Sequence, residues 1–184
     1  MIFRNTRAEE VPRVMRILED GKAALGALDI DQWQGEGYPN VGIVEGDVAR
    51  GESYVVEDDG GDVVATAMVS FSGEPDYDSI EGAWLTPGTS ADPCYAVVHR
   101  VAVGAGQARR GAARFILESA AQLAAEAGAL SVRVDTHPGN RPMLGLAERC
   151  GFTRCGIIRI AHADGGIPER VAFERLVRPA AGKR

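Results

Sequence analysis

The sequence has no long apolar run and no secretory signal. Its longest uncharged apolar stretch, Val63 to Phe71, is far shorter than the roughly 18 residues that a bilayer-spanning helix needs. The first residues mix acidic and basic side chains and lack the apolar core of a signal peptide. We therefore expect a cytoplasmic protein with no membrane partner.

Cysteine is also scarce. The three cysteines, Cys94, Cys150 and Cys155, form an odd set without the close pairs that zinc sites use. This spacing argues against a disulfide framework and against a metal cluster. We expect reduced, buried thiols and no metal site.

Basic charge is in deficit, which disfavours nucleic acid as a partner. The chain has 20 basic and 26 acidic side chains and a net charge of −6. The distribution is uneven, because residues 1–98 carry 6 basic and 19 acidic groups whereas residues 99–184 carry 14 and 7. Such a chain is suited to a polyanionic cofactor on its second half and a cationic substrate on its first. An uneven distribution of solvated surface charges without any function explains the same counts.

The hydrophobic pattern predicts a mixed α/β domain. With 184 residues, 45% of them hydrophobic and 25% charged, the composition is that of one ordinary globular domain. The order is strand, two helices, three strands, helix, strand, helix, two strands, with a short strand near Trp84 and a helix cap formed by Thr6 and Glu9. The predicted strands are 3–5, 53–57, 63–72, 95–103, 130–136, 152–160 and 171–177, and the last two pair as a hairpin across 164–166.

The most informative stretch is 99–128, where a strand leads into a glycine-bearing turn and then a helix over 107–127. A helix N-terminus offers unpaired N–H groups to an anion, and Arg109 and Arg110 add positive charge beside them. The dinucleotide fingerprint needs a glycine where Arg109 stands, and the Walker pattern needs a Gly-Lys-Ser/Thr that the sequence lacks. Phosphate binding and a simple tight connection both remain open on spacing alone.

Two linked motifs resemble those of the GNAT superfamily of N-acetyltransferases. The first is Val101-Ala102-Val103 followed by Arg109-Arg110-Gly111-Ala112-Ala113 and a helix of small residues. The second is Asp135-Thr136-His137, then Asn140 and Met143, then Cys150-Gly151-Phe152. The resemblance covers residues 2–177. It implies a mostly antiparallel sheet of about seven strands with helices on both faces, in a single domain over 1–178 with a frayed tail over 179–184.

The resemblance also implies a role for each matched residue. Main-chain groups of Val101 and Val103, on a strand that splays from its neighbour, would pair with the pantetheine of acetyl-CoA, and an N–H there would polarise the thioester carbonyl. Asn140 would hydrogen-bond the pantetheine arm. The N–H groups that would hold the pyrophosphate belong to Arg109, Arg110, Gly111, Ala112 and Ala113.

Three positions depart from the family's pattern. Ala108 replaces an arginine or glutamine of the first motif, Ala147 replaces a tyrosine that protonates the departing thiolate, and Val97 stands where a glutamate often acts as base. We expect cofactor affinity to survive, because the pyrophosphate contacts are mostly main-chain. Proton transfer must then use other groups or water.

Two residues are the candidate catalytic groups. His99 has an imidazole that changes charge near neutral pH, although it also suits a structural bond to a backbone carbonyl. Asp135 is a candidate for a proton relay with His137, or both residues order the loop leading to Asn140. Tyr77 and Tyr95 are weaker candidates for the missing acid.

We expect an N-acetyltransferase that moves acetyl from acetyl-CoA to a primary amine by direct attack in a ternary complex. A noncatalytic CoA-binding module is the alternative, and a nicotinamide- or flavin-binding protein is a weaker one. The acceptor is a small-molecule or peptide amine, and exposed sheet edges favour a homodimer. A further segment, which contains Trp33, Gln34 and Tyr38, either walls the substrate pocket or fastens two helices to the sheet.

Overall fold

The structure is a computed structural model that describes residues 1–35, 37–161 and 167–178. These residues form eight strands and four α-helices, with short 3-10 turns at Ala8–Glu10 and Pro75–Tyr77. In chain order the elements are β1 (Ile2–Asn5), α1 (Val11–Gly26), α2 (Val41–Ala49), β2 (Ser53–Glu57), β3 (Val63–Ser70), β4 (Ile80–Gly82), β5 (Tyr95–Val103), α3 (Ala112–Ala127), β6 (Ser131–Thr136), α4 (Arg141–Arg149), β7 (Thr153–Arg159) and β8 (Glu169–Leu176).

The strands follow the order β1-β2-β3-β5-β6-β8-β7-β4 in one sheet. The β5–β6 ladder is parallel, and the ladders β1–β2, β2–β3, β6–β8, β7–β8 and β4–β7 are antiparallel. The predicted mixed, mostly antiparallel class is therefore confirmed. The predicted number of about seven strands is one too low. The additional strand is β4, whose residues Ile80–Gly82 pair with β7.

The described residues divide into two compact units. The first contains 1–69, 99–116 and Ile167, and the second contains 70–98, 117–161 and 168–178. The single domain over 1–178 stays a prediction. The tail 179–184 and the hairpin turn at 164–166 lie outside the described residues, whereas the predicted β7–β8 pairing is confirmed.

The first unit is built on β1, β2 and β3 with α1 and α2. Apolar residues at helical spacing give α1 one buried stripe, and Pro12 is tolerated in its first turn because no N–H is needed there. The core of this unit consists of Val11, Val14, Ile17, Leu18, Val44, Val55, Val63 and Ala102.

The predicted cap of the first helix is wrong. The Thr6 hydroxyl is buried and lies 2.7 Å from the hydroxyl of Ser53, so it bonds across to β2 instead of to the helix. A capping bond forms one residue later, at the 3-10 turn that precedes α1, where the Glu10 carboxylate accepts the N–H of Arg7 at 2.8 Å. A tertiary hydrogen bond has replaced the local one.

The same Glu10 gives the first unit a pH-dependent contact. Arg4 donates two hydrogen bonds to Glu10, at 2.8 and 2.7 Å, and also bonds Glu57. These hydrogen bonds from Arg4 lower the pKa of Glu10 from 4.5 to about 2.

We expect Glu10→Gln to remove a stabilisation of about 2 kcal/mol at neutral pH, allowing for solvent screening. Because the folded pKa lies below the unfolded value, this contribution is present above pH 4.5 and is lost as the pH falls towards 2. Urea unfolding of both proteins across this range measures the difference. A difference that did not change with pH would contradict the assignment.

The second unit packs β4, β6, β7, β8 and the first part of β5 around an aromatic core. Tyr77 and Tyr95 are buried there with Val97, Ile158 and Ala172, and Trp84 packs against them. The indole N–H of Trp84 donates to the carbonyl of Tyr77 at 2.8 Å. The long loop over 73–94 is therefore a folded part of this unit.

A buried ion pair fixes this loop to the sheet. Arg133 of β6 and Glu174 of β8 are cross-strand partners, and both side chains are 0% exposed. The guanidinium donates to Glu174 at 3.1 Å and to the carbonyls of Thr86 and Gly88 at 2.7 and 3.0 Å. It also lies between the rings of Trp84 and Tyr95, at 4.3 and 3.8 Å from their centroids.

Candidate active site

The central strand β5 leaves its neighbour β6 in its middle. Its parallel ladder with β6 runs from the Tyr95–Ser131 pair to the Val98–Val134 pair and ends there. Two residues later Arg100 has a φ of 51°, a value that a side-chain-bearing residue rarely adopts in a strand. We interpret this left-handed residue inside a strand as a bulge, a feature found beside active sites because it redirects the residues that follow. Those residues are Val101 to Val103.

Beyond the bulge the chain is hydrogen-bonded to two other elements of the first unit. The N–H of Gly104 donates to the carbonyl of Val64 at 2.9 Å, and the N–H of Ala105 donates to the carboxylate of Asp20 at 2.7 Å. Ala102 is buried in the α1 core. The start of the turn is thus held on both β3 and α1.

The turn itself alternates between ordinary and left-handed backbone. Gly106, Arg109 and Gly111 have φ values of 76°, 65° and 88°. Where left-handed and right-handed residues alternate, successive N–H groups turn towards one side, which is the geometry of anion-binding nests. Arg109, Arg110 and Gly111 are exposed there.

The N-terminus of α3 directly follows this turn. The N–H of Phe115 donates to the carbonyl of Gly111 at 2.9 Å, so the helix begins at this turn. The first N–H groups of an α-helix have no acceptor within the helix and can bind an anion. A Cβ at Gly111 would meet no atom within 4 Å, which leaves space for a ligand. The predicted helix start at Gln107 is wrong, because the left-handed residues delay it to Ala112.

The structure also shows the surroundings of His99 and of the two positions, 97 and 147, where the family's usual proton-transfer residues are replaced. His99 is half-buried on β5 directly before the bulge, and its role as base stays a prediction. Val97 and Ala147 are both buried. Neither side chain can carry a proton, and their correspondence to the family's proton-transfer residues stays a prediction.

Asp135 has a buried tyrosine as its partner. The hydroxyl of Tyr77, 1% exposed, donates to Oδ1 of Asp135 at 2.7 Å within the second unit. Burial raises the pKa of Tyr77 well above its usual value, and the negative charge of Asp135 raises it further. Tyr95 is buried as well, and its hydroxyl accepts the N–H of Glu74. Tyr77 therefore holds its proton against Asp135, which makes it a poor acid.

The loop that follows β6 is ordered by its own side chains. The N–H of Gly139 donates to Nδ1 of buried His137 at 2.9 Å. Asn140 caps α4, because its Oδ1 accepts the N–H of Met143 at 3.2 Å. These bonds support the loop-ordering role expected of His137, and the pantetheine contact of Asn140 stays a prediction.

The segment between α1 and α2 contacts neighbouring elements of the first unit. Trp33 packs against the α1 core, and the side-chain amide of Gln34 donates to the carbonyl of Lys22 at 2.9 Å. The hydroxyl of Tyr38 accepts a hydrogen bond from Arg100 at 3.2 Å. These contacts support the fastening role, and a substrate-pocket role stays a prediction.

The acidic groups of the 73–94 loop have structural partners. Asp76 accepts the N–H of Ala161, and Asp78 accepts the N–H of Ser90. The three cysteines are free, but the expectation that they are buried is wrong for Cys94 and Cys155, because only Cys150 is buried. The described ranges contain no group of side chains placed to hold a metal ion. In the same ranges no helix has both the length and the apolar character needed to cross a membrane.

Sequence reasoning missed two charged pairs: Arg100 with Asp47, and Arg133 with Glu174. The only signal was a charged residue inside each apolar run, as in Val132-Arg133-Val134. One sequence does not show which opposite charge is the partner.

A strand with a left-handed residue that leads through a left-handed turn into a helix, on a mixed and mostly antiparallel sheet, is the arrangement that the resemblance to the N-acetyltransferases implies. A sequence model of the Acetyltransferase (GNAT) family matches residues 15–152. The chain therefore belongs to this family of acetyltransferases. Membership favours acetyl transfer over the noncatalytic alternative.

Solved structures agree with this assignment. A GNAT-family acetyltransferase from Streptococcus agalactiae 2603 is 27% identical with a TM-score of 0.83, and the match covers 95% of this chain and 94% of that one. A GNAT-family acetyltransferase from Listeria monocytogenes 4b F2365 is 16% identical with a TM-score of 0.70, and covers 96% and 94%. The ribosomal-protein-S18-alanine N-acetyltransferase of Escherichia coli is 15% identical with a TM-score of 0.64, and covers 100% and 97%. The last two show the fold alone. Curated proteins give no match.

Proposed function

We propose that the protein transfers the acetyl group of acetyl-CoA to a primary amine by direct attack in a ternary complex. The observation that carries the proposal is the bulge at Arg100 followed by the left-handed turn and the open N-terminus of α3. Family membership supports acetyl transfer as the reaction class.

The cofactor fits the first unit through main-chain groups. The N–H groups of the turn and of the first residues of α3, from Arg109 to Ala113, hold the pyrophosphate, and Arg109 and Arg110 neutralise part of its charge. The main chain of Val101 and Val103 pairs with the pantetheine amides. Ala108 does not weaken this arrangement, because no side chain at that position is required for main-chain donation.

The chemistry needs two proton transfers. The amine loses a proton to a base, its lone pair forms the new C–N bond, and the C–S bond breaks as the thiolate leaves. An N–H of the strand after the bulge stabilises the negative charge on the carbonyl oxygen. His99 is our candidate base and Asp135 the second candidate, whereas water or another group protonates the thiolate in the absence of a tyrosine at position 147.

The amine is a small molecule or a peptide. Its class is tested by incubating the pure protein with acetyl-CoA and a panel of polyamines, amino acids, aminoglycosides and peptides while thiol release is measured. Release above the hydrolysis background with any amine supports the proposal. Tight acetyl-CoA binding together with no thiol release on any amine would favour the noncatalytic CoA-binding module.

We expect His99→Ala to flatten the dependence of kcat/KM on pH around neutrality, because an imidazole changes its charge in that range. Acetyl-CoA affinity, measured by calorimetry, should stay the same, since the cofactor contacts are main-chain. The pH–rate profile of both proteins on the best amine is the measurement. A profile that keeps its shape would transfer the role of base to water or to Asp135.

A further inference from the structure

The bulge residue Arg100 is held from its far end by two other parts of the first unit. Its guanidinium donates to Oδ2 of Asp47 on α2 and, at 3.2 Å, to the hydroxyl of Tyr38 before α2. The Arg100 side chain is 11% exposed and that of Asp47 is 4% exposed. The pair is therefore shielded from solvent, where a charge without its partner is costly.

The backbone of Arg100 needs such an anchor. A φ of 51° is unfavourable for a residue with a Cβ, and it persists only where surrounding contacts impose it. The contacts with Asp47 and Tyr38 fix where the side chain of Arg100 lies, and so they limit how the backbone at Arg100 can turn. The direction of the amides that follow, from Val101 to Val103, depends on that turn.

We propose that Arg100 is a positioning residue for the acetyl transfer, and that Asp47 and Tyr38 hold it in place. Arg100 itself touches no reacting atom in this scheme. It keeps the bulge in the one conformation that aims the following N–H groups at the thioester carbonyl. This inference rests on the proposed function, since it assigns a purpose to the bulge that the function requires.

The chain supplies a matched control in Arg50. Its guanidinium donates to the other oxygen of Asp47 at 2.6 Å and to Glu52 at 2.7 Å. Arg50 contacts the same carboxylate as Arg100 does, but its side chain is 56% exposed and it lies on neither β5 nor the turn. A variant of Arg50 therefore perturbs Asp47 without removing the anchor of the bulge.

Two variants test the anchor. Arg100→Lys keeps the positive charge but lacks the planar group that reaches Asp47 and Tyr38 together, and Tyr38→Phe removes one hydroxyl. We expect kcat to fall about 10- to 100-fold in Arg100→Lys, because a small misplacement of catalytic groups has effects of this size. For Tyr38→Phe we expect a fall of about threefold. Acetyl-CoA affinity should fall much less than kcat in both, because the pyrophosphate contacts lie in the turn and do not depend on Arg100.

A spectroscopic measurement separates positioning from general damage. We expect the infrared carbonyl band of bound carbon-13 acetyl-CoA to lie closer to its free position in Arg100→Lys than in the unmodified protein. In Arg50→Gln the band and kcat should both keep their original values. Equal losses in Arg50→Gln and Arg100→Lys would overturn the inference, because they would show that only the stability of α2 matters.

The amide spectrum tests the anchor without any substrate. In the ligand-free protein, Tyr38→Phe should shift the NMR signals of the Val101 to Val103 amides, whereas Arg50→Gln should not. Unchanged amide signals in Tyr38→Phe would overturn the inference. If the unmodified protein releases no thiol with any amine, the proposed function fails, and this amide comparison still decides whether the anchor controls the bulge.

Discussion

Gly111→Glu should reduce acetyl-CoA affinity at least about 100-fold while the protein stays folded. The new carboxylate would lie where the pyrophosphate binds, and two negative groups in one site repel each other by several kcal/mol. The protein itself has room for the side chain, because nothing lies within 4 Å of a Cβ built at Gly111. Calorimetric titration with acetyl-CoA and a far-ultraviolet circular dichroism melt are the two measurements.

Two controls separate charge from backbone strain. Gly111 has a φ of 88°, which costs about 1 to 2 kcal/mol for any residue with a Cβ, and Gly111→Ala introduces that cost alone. Gly128, directly after α3, has a φ of 81° and is equally open, so Gly128→Glu adds the same side chain away from the turn. Both controls should bind acetyl-CoA far better than Gly111→Glu. Comparable loss in Gly128→Glu would mean that the turn is not the phosphate site.

Glu174→Gln should lower the free energy of unfolding by about 3 to 5 kcal/mol. The substitution keeps the shape of the side chain but leaves the guanidinium of Arg133 as an uncompensated charge in a fully buried position. Glu174 also accepts hydrogen bonds from Ser131 at 2.5 Å and from the N–H of Thr86 at 3.3 Å, and these weaken when the carboxylate becomes an amide. Urea denaturation measures the change.

The surface provides the comparison for this buried pair. Arg159 and Glu81 also form an ion pair, but their side chains are 56% and 63% exposed. Glu81→Gln should leave the denaturation midpoint unchanged, because exposed pairs contribute little. If Glu174→Gln lowered the free energy of unfolding as little as Glu81→Gln does, the buried pair would not be what holds the 73–94 loop to the sheet.

The regular parts of the fold were predictable because they depend on short-range patterns. The apolar spacing of Val11, Val14 and Leu18 defines α1, and an apolar run before a glycine-bearing turn defines β5 and α3. The errors arose where distant residues decide. Thr6 bonds Ser53 across to another strand, and β4 forms only because β7 is there to pair with it.

The candidate site was partly predictable for the same reason. The turn from Arg109 to Ala113 was found from glycine content and motif spacing, because left-handed backbone favours glycine. The left-handed φ values of Arg100 and Arg109 had no such signal, since arginine does not indicate this conformation. The contact between Tyr77 and Asp135 joins residues 58 positions apart, and a single sequence carries no record of such a pairing.

A crystal structure of the protein grown with saturating acetyl-CoA tests the central claim most directly. The account predicts pyrophosphate density on the main-chain N–H groups from Arg109 to Ala113, and pantetheine running along Val101 to Val103. A turn without ligand under those conditions, or a nucleotide bound at another place, would contradict the proposed acetyl transfer.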